Sequence, residues 1–181
     1  ATVSISVNYQ TGADVLSFSD QNGISGSWDA ASGTMTLTGT ATKAEYEAAL
    51  QSITYENSSD DPSTGARTIS FSVNDGDTDS AAATSTVNVA AVNDAPVATS
   101  GATLNYTEHD AASVVDSGIV LSDVDDADLE GATVSISVNY QTGADVLSFS
   151  DQNGISGSWD AASGTMTLTG TATKAEYEAA L

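Results

Sequence analysis

The chain contains no cysteine, which excludes disulfide bonds, thiolate zinc sites and thiol nucleophiles. Basic residues are scarce too: 3 Lys and Arg stand against 25 Asp and Glu, giving a formal charge of −22 at pH 7. Such a chain cannot neutralise phosphates, so we expect no nucleic-acid partner and no attraction to an anionic membrane surface. No apolar run approaches the roughly 18 residues of a membrane span, which argues against membrane insertion.

Hydrophobic residues make up 40% of the chain, enough to build a core despite the charge. The most informative feature is an internal repeat. Residues 1–50 recur as residues 132–181 without a single change, which sets a period of 131 residues (132 − 1). Solenoid repeats run about 20–50 residues, so this period corresponds to a whole domain. Identity without drift predicts a tandem array kept uniform, or a chain built by duplication.

The predicted domain boundary lies near the middle, where strand-like alternation gives way to the Asx–Pro linker at residues 93–96. We predict that residues 1–92 are the C-terminal part of one 131-residue repeat and residues 93–181 the N-terminal part of the next. The chain would then be a window on a longer array, with neighbouring repeats of the same protein as partners. Parts that lack outer strands expose sheet edges, so lateral or end-to-end self-association is also expected.

Nearly every segment alternates apolar residues with Ser or Thr at a period of two, which is typical of strands with one packed and one wet face. Thr42 and Glu45 form the signature of a capping box, which predicts a short helix over 44–50 and again over 173–181. The predicted fold class is therefore all-β, a Greek-key antiparallel β-sandwich with one short inserted helix per repeat. The alternating runs include residues 69–73, 87–89, 104–106, 134–138 and 166–168.

Acidic residues gather in predicted loops. Hard cations such as calcium take six to eight oxygen ligands, and crowded carboxylates repel one another unless a cation is present. Neither long acidic run is an EF-hand, because Ala127 stands where a third ligand belongs and Ser80 stands where glycine is required. Any site must therefore combine separate loops. The acidic runs are residues 57–61, 74–79, 93–94 and 122–130.

An ordered set of motifs spans the whole 131-residue period: LSDVDDADLEGATVSI (121–136), DVLSF (145–149), GSWDAASGTMTLTG (157–170), YENSSDDPSTGARTISFSVNDG (55–76) and NDAP (93–96). In this order the motifs resemble the cadherin-like, Ig-like extender repeats of very large calcium-dependent (RTX-type) bacterial surface adhesins. The resemblance implies tandem Ig/cadherin-like β-sandwiches at the bacterial cell surface. It also implies a calcium-stiffened rod or filament that supports adhesion or biofilm formation.

In cadherin-like domains calcium lies at the junction between consecutive domains, and this implies candidate metal ligands in three groups. The central junction would combine the linker, the Asp-x-Asp loop 29 and 31 residues later (123 − 94, 125 − 94), and a loop of the upstream part: Asn93, Asp94, Asp123, Asp125, Asp60 and Asp61. Glu108 is predicted to follow a strand of about ten residues and to face the next junction. Asp75 and Asp77 would face the previous one.

Each of these acids has a plainer interpretation as a solvated turn residue, because Asp-Gly turns and Asx–Pro linkers arise from turn preference alone. The alternative function is a carbohydrate- or protein-binding β-sandwich module, in which Trp28 and Trp159 stack on a ligand. A sandwich tryptophan more often lies in the core, so low exposure of Trp28 would favour the structural function. His109 has no nucleophile or metal partner marked in the sequence, and no enzymatic activity is expected.

Overall fold

Strands account for 38% of the residues and helices for 9%, and all strand pairs are antiparallel. These values come from a computed structural model that describes residues 1–181. The chain divides into two compact units, unit 1 over Ala1–Val92 and unit 2 over Asn93–Leu181. Neither helix has the length and apolar character needed to cross a bilayer. A mostly β, antiparallel architecture is therefore confirmed.

Unit 1 contains a five-stranded sheet in the order β3-β4-β1-β6-β7 and a two-stranded sheet of β2 and β5. The elements are β1 (Thr2–Val7), β2 (Asp14–Ser17), β3 (Ser25–Asp29), β4 (Thr34–Thr38), α1 (Lys43–Gln51), β5 (Thr54–Asn57), β6 (Arg67–Ser72) and β7 (Ala83–Val87). The register places Val3 opposite both Met35 and Phe71, so apolar residues of three strands share one face. Leu16 of the smaller sheet joins the same buried cluster.

Unit 2 contains a three-stranded sheet in the order β10-β12-β11 and a two-stranded sheet of β8 and β9. Its elements are β8 (Val97–Thr99), β9 (Val120–Ser122), β10 (Asp128–Ser135), β11 (Ser156–Asp160), β12 (Thr165–Thr173) and α2 (Lys174–Ala180). The predicted strand over residues 104–106 is wrong, because these exposed residues pair with no other segment. The core of unit 2 is smaller and centres on Ile155, Met166, Leu168, Ala172 and Tyr177.

Both helices begin as the sequence predicts. The Thr42 hydroxyl accepts a hydrogen bond from the Glu45 backbone N–H, while the Glu45 carboxylate accepts one from the Thr42 N–H. The same reciprocal bonds join Thr173 and Glu176. Each capping box satisfies backbone donors that the first helical turn leaves free, a contribution of about 1 kcal/mol.

The two identical 50-residue segments adopt different structures where their partners differ. Asp14–Ser17 forms β2 because β5 lies beside it, with Leu16 opposite Tyr55. The identical residues 145–148 form no strand, since unit 2 contains no counterpart of β5. Local sequence therefore permits the strand, and a partner strand decides whether it forms.

Candidate metal centre

Three carboxylates meet in the loop between β9 and β10 of unit 2. Asp123, Asp125 and Asp126 each offer an oxygen atom, and these atoms lie within 4.8 Å of one another. The sequence singled out Asp123 and Asp125, and the structure adds Asp126, which lies in the same acidic run. A group of this kind can hold a metal ion, because hard divalent cations bind carboxylate oxygens.

The loop is held in shape by its own backbone and by helix α2. The Asp123 Oδ1 atom accepts hydrogen bonds from the backbone N–H groups of Asp125 at 3.2 Å and Asp126 at 3.1 Å. The Lys174 Nζ atom donates to the carbonyl oxygens of Asp123, at 3.1 Å, and of Asp126. Lys174 thus binds backbone oxygens of the loop and forms no salt bridge with its carboxylates.

The linker at the start of unit 2 lies against the same loop. The Asp94 backbone N–H donates to Asp125 Oδ2 at 2.8 Å, across 31 residues of sequence. The Asn93 side chain donates to the Asp94 carbonyl at 2.5 Å. The structure therefore brings Asn93 and Asp94 together with Asp123 and Asp125. Their role as metal ligands stays a prediction.

The electrostatics of the loop favour a cation. Backbone hydrogen bonds, first that from Asp126, hold the pKa of Asp123 below its ordinary value. The pKa of Asp125 is raised: the Asp94 N–H lowers it, but the Asp123 carboxylate, desolvation and the Asp126 charge outweigh that bond. The Asp125 Oδ1 atom is also shielded from solvent and has no hydrogen-bond partner. A bound cation would relieve both the repulsion and the unpaired oxygen.

The other predicted ligands do not join such a group. Asp75 Oδ1 caps its own turn through the N–H groups of Asp77 at 3.0 Å and Thr78 at 2.9 Å, which lowers the pKa of Asp75. Asp60 and Asp61 are exposed in unit 1, between β5 and β6.

Glu108 lies exposed in a turn closed by the Asp110 N–H and the Thr107 carbonyl. The ten-residue strand expected before it is wrong, because β8 contains only Val97–Thr99. His109, its exposed neighbour, has a positive φ of 70°.

Sequence reasoning missed a buried ion pair in unit 1. Arg67 Nε contacts Asp14 Oδ2 at 3.2 Å, and both side chains are fully buried. Asp14 also accepts hydrogen bonds from Tyr55, from Asn57 and from the Gln10 backbone N–H. The available signal was Arg67 itself, one of the 3 basic residues in the chain and placed in an alternating strand run.

The comparisons with known proteins add no relative. No family model, no curated protein and no solved structure matches the chain. The fold and the site together define a mostly β, antiparallel chain of two units. Its second unit holds the acidic group of Asp123, Asp125 and Asp126 beside the linker residue Asp94.

Proposed function

We propose that this chain is part of a structural extender repeat of a bacterial cell-surface protein, extracellular, calcium-binding and without enzymatic activity. The observation that carries the proposal is the hydrogen bond from the Asp94 N–H to Asp125, within a group of three carboxylates. Calcium at that group would fix the linker to the loop after β9. Stiff linkers are what a tandem repeat needs to hold an adhesive module away from a cell or to form a biofilm filament.

The proposal includes the finer fold, an Ig/cadherin-like β-sandwich in each complete repeat. Support comes from unit 1, where Leu16 of one sheet and Val3 and Leu37 of the other belong to one buried cluster. Two sheets that share a core in this way are the basis of a sandwich. Unit 2 lacks counterparts of β5, β6 and β7, so the proposal assigns it an incomplete set of strands.

Net charge supports a role for divalent cations. A chain with a formal charge of −22 repels itself, and bound calcium lowers that repulsion where it is most concentrated. The three carboxylates supply anionic oxygen atoms of the kind that calcium binds. Because calcium would bind the folded loop and not the unfolded chain, it would also stabilise unit 2.

The alternative, a carbohydrate- or protein-binding β-sandwich module, receives less support. Trp28 is partly buried and packs against the core of unit 1. Its ring meets the Tyr9 ring edge to face, with centroids 6.2 Å apart, and Trp159 repeats this contact with Tyr140 at 6.1 Å. Both rings have a packing role, as in other sandwich cores.

Calorimetric titration of the full chain with calcium tests the proposal. We expect saturable binding that Asp125→Asn weakens by about tenfold or more, because one anionic ligand is lost while the Asp94 hydrogen bond can persist. Asp151→Asn is the matched control in unit 2, since Asp151 accepts one bond from the Gly157 N–H and lies outside the triad.

The control variant should bind calcium as the parent does, and magnesium should bind the parent more weakly, because it demands a tighter octahedral geometry. Absence of calcium binding by the parent would contradict the proposal. An equal loss of calcium affinity in the two variants would also contradict it, because the loss would then follow from the change in net charge alone.

A further inference from the structure

The outer edge of β3 pairs with no other strand, and the same holds for its copy β11. In unit 1, β3 lies at the end of the five-stranded sheet beside β4, and in unit 2, β11 lies beside β12 alone. Every position of the 131-residue period is present in unit 1 or in unit 2, and neither part places a strand along this edge. The edge is therefore a feature of the repeat itself.

The register shows which backbone groups of β3 point outward. The Leu37 N–H of β4 donates to the Ala1 carbonyl at 2.8 Å, on the side of β4 that faces β1. Gly26 lies opposite Leu37 in β3, so its own N–H and carbonyl point away from β4. Trp28 follows two residues later and its backbone groups point the same way. Outward groups of this kind are where a strand of another molecule pairs.

In unit 1 the loop before β3 covers this edge. The Asp20 Oδ1 atom accepts a hydrogen bond from the outward Gly26 N–H at 3.0 Å. Phe18 lies against the same glycine, since a Cβ atom on Gly26 would meet the ring atom Phe18 Cδ1 at 2.6 Å. The turn between Asp20 and β3 is closed by two backbone hydrogen bonds between Gln21 and Ile24. We call the bond from Gly26 to Asp20, and its copy in unit 2, the edge cap.

The edge cap of unit 2 has the same geometry. Asp151 Oδ1 accepts from the Gly157 N–H at 3.0 Å, and a Cβ atom on Gly157 would meet Phe149 Cδ1 at 2.6 Å. This cap forms although residues 145–148, just before it, form no strand, whereas their copies form β2 in unit 1. The cap thus persists where the neighbouring structure changes. Each carboxylate accepts this one hydrogen bond and forms no salt bridge.

We propose that Asp20 and Asp151 keep copies of this chain apart, by occupying backbone donors through which their edges would otherwise pair. The open edge is self-complementary. In an antiparallel pair with a twofold axis at Ser27, Gly26 of each copy would lie opposite Trp28 of the other, and each pair would exchange both of its N–H···O bonds. The edge cap removes the Gly26 donor from both pairs and leaves a carboxylate in the path of the incoming strand.

Two substitutions that remove the same charge test the edge cap. Asp20→Asn keeps an Oδ1 atom that can accept the Gly26 N–H, whereas Asp20→Ala leaves that donor without a partner. The mass of each full-chain variant is measured by sedimentation equilibrium at about 1 M salt, where a screening length of about 3 Å weakens the repulsion between copies. Excess chelator is present because the proposal involves no metal, and its failure would leave the proposed function standing.

We expect the parent and Asp20→Asn to sediment as monomers and Asp20→Ala as a dimer, with twice the 18.2 kDa mass of the chain. Combining Asp20→Ala with Asp151→Ala should give longer assemblies, because each unit then offers one open edge. A monomeric Asp20→Ala variant would overturn the proposal. Equal association of the Ala and Asn variants would do so too, because the charge and not the hydrogen bond would then separate the copies.

Ser27→Cys locates the contact between copies. The chain has no cysteine of its own, and Ser27 is exposed at the proposed axis. Opposed Cα atoms there would lie about 4.5 Å apart, within the range of a disulfide. Under mild oxidation the crosslinked dimer should form about tenfold faster, or more, with Asp20→Ala than with Asp20→Asn. Equal rates of crosslinking, or association of Asp20→Ala without this crosslink, would show that the edge of β3 is not where copies pair.

Discussion

Replacing Asp14 by Ala tests how unit 1 is held together. The side chains of Asp14 and Arg67 are both fully buried, with Arg67 Nε 3.2 Å from Asp14 Oδ2. Removing one partner of a buried ion pair leaves an uncompensated charge, which costs about 3–5 kcal/mol. Whole domains are stable by about 5–15 kcal/mol, so the substitution should remove about a fifth or more of the stability of unit 1.

Asp145→Ala is the matched control, because Asp145 is the same residue in the second copy. Its carboxylate is partly exposed and accepts a single hydrogen bond, from the Gln141 N–H at 2.8 Å. Loss of one such bond costs about 0.5–1.5 kcal/mol. The two substitutions should therefore differ by about 1.5 kcal/mol or more, although they alter identical sequence.

Amide hydrogen exchange read by mass spectrometry measures both effects, provided that unique peptides are used. Residues 1–50 and 132–181 give indistinguishable peptides, so Arg67–Ser72 reports on unit 1 and Val120–Ser122 on unit 2. Asp14→Ala should accelerate exchange in the first peptide alone. Equal and small changes after Asp14→Ala and Asp145→Ala would refute the reasoning, since the ion pair would then contribute nothing particular to unit 1.

Two further predictions concern pH and backbone shape. Burial alone would raise the pKa of Asp14, but hydrogen bonds from Tyr55, the Gln10 N–H, Asn57 and Arg67 outweigh it and hold that pKa below its ordinary value of 3.8. Unit 1 should therefore keep this contribution above about pH 3.8 and lose it as the pH falls further, a dependence that Asp14→Asn should remove from acid unfolding curves. Gly170→Ala should destabilise unit 2 by about 3 kcal/mol, because its φ is 136° and a Cβ atom would meet the Gly154 carbonyl oxygen at 2.2 Å. Urea unfolding with no change in midpoint would contradict this.

The sequence alone predicts the structure where the interactions that form it are local. The capping boxes of Thr42 and Thr173, the alternation around Ile69 and Met166, and the turns follow from residues a few positions apart. The proximity of Asp94 to Asp125 was also anticipated, as what the resemblance to cadherin-like repeats implies.

Long-range partners explain what sequence reasoning missed. Asp14 lies in β2 and is buried, whereas the identical Asp145 lies in no strand and is partly exposed, and nothing within the 50 residues distinguishes them. The difference comes from Tyr55, Asn57 and Arg67, which donate hydrogen bonds to Asp14. Unit 2 contains no residues that correspond to these three. A residue more than 40 positions away thus decides whether a carboxylate is structural or solvated.

Thermal unfolding of the full chain, with calcium and then with excess chelator, tests the central claim most directly. At a calcium concentration about a hundredfold above Kd, binding would stabilise the folded loop by about 2.7 kcal/mol. For a unit of this size that corresponds to a rise of about 10–20 °C in Tm. We predict this rise for unit 2, which holds Asp123, Asp125 and Asp126, and none for unit 1. The rise should reverse with chelator and should not be restored by magnesium. Superimposable melting curves with calcium and with chelator would contradict the account. The acidic loop would then be a solvated turn that binds no calcium.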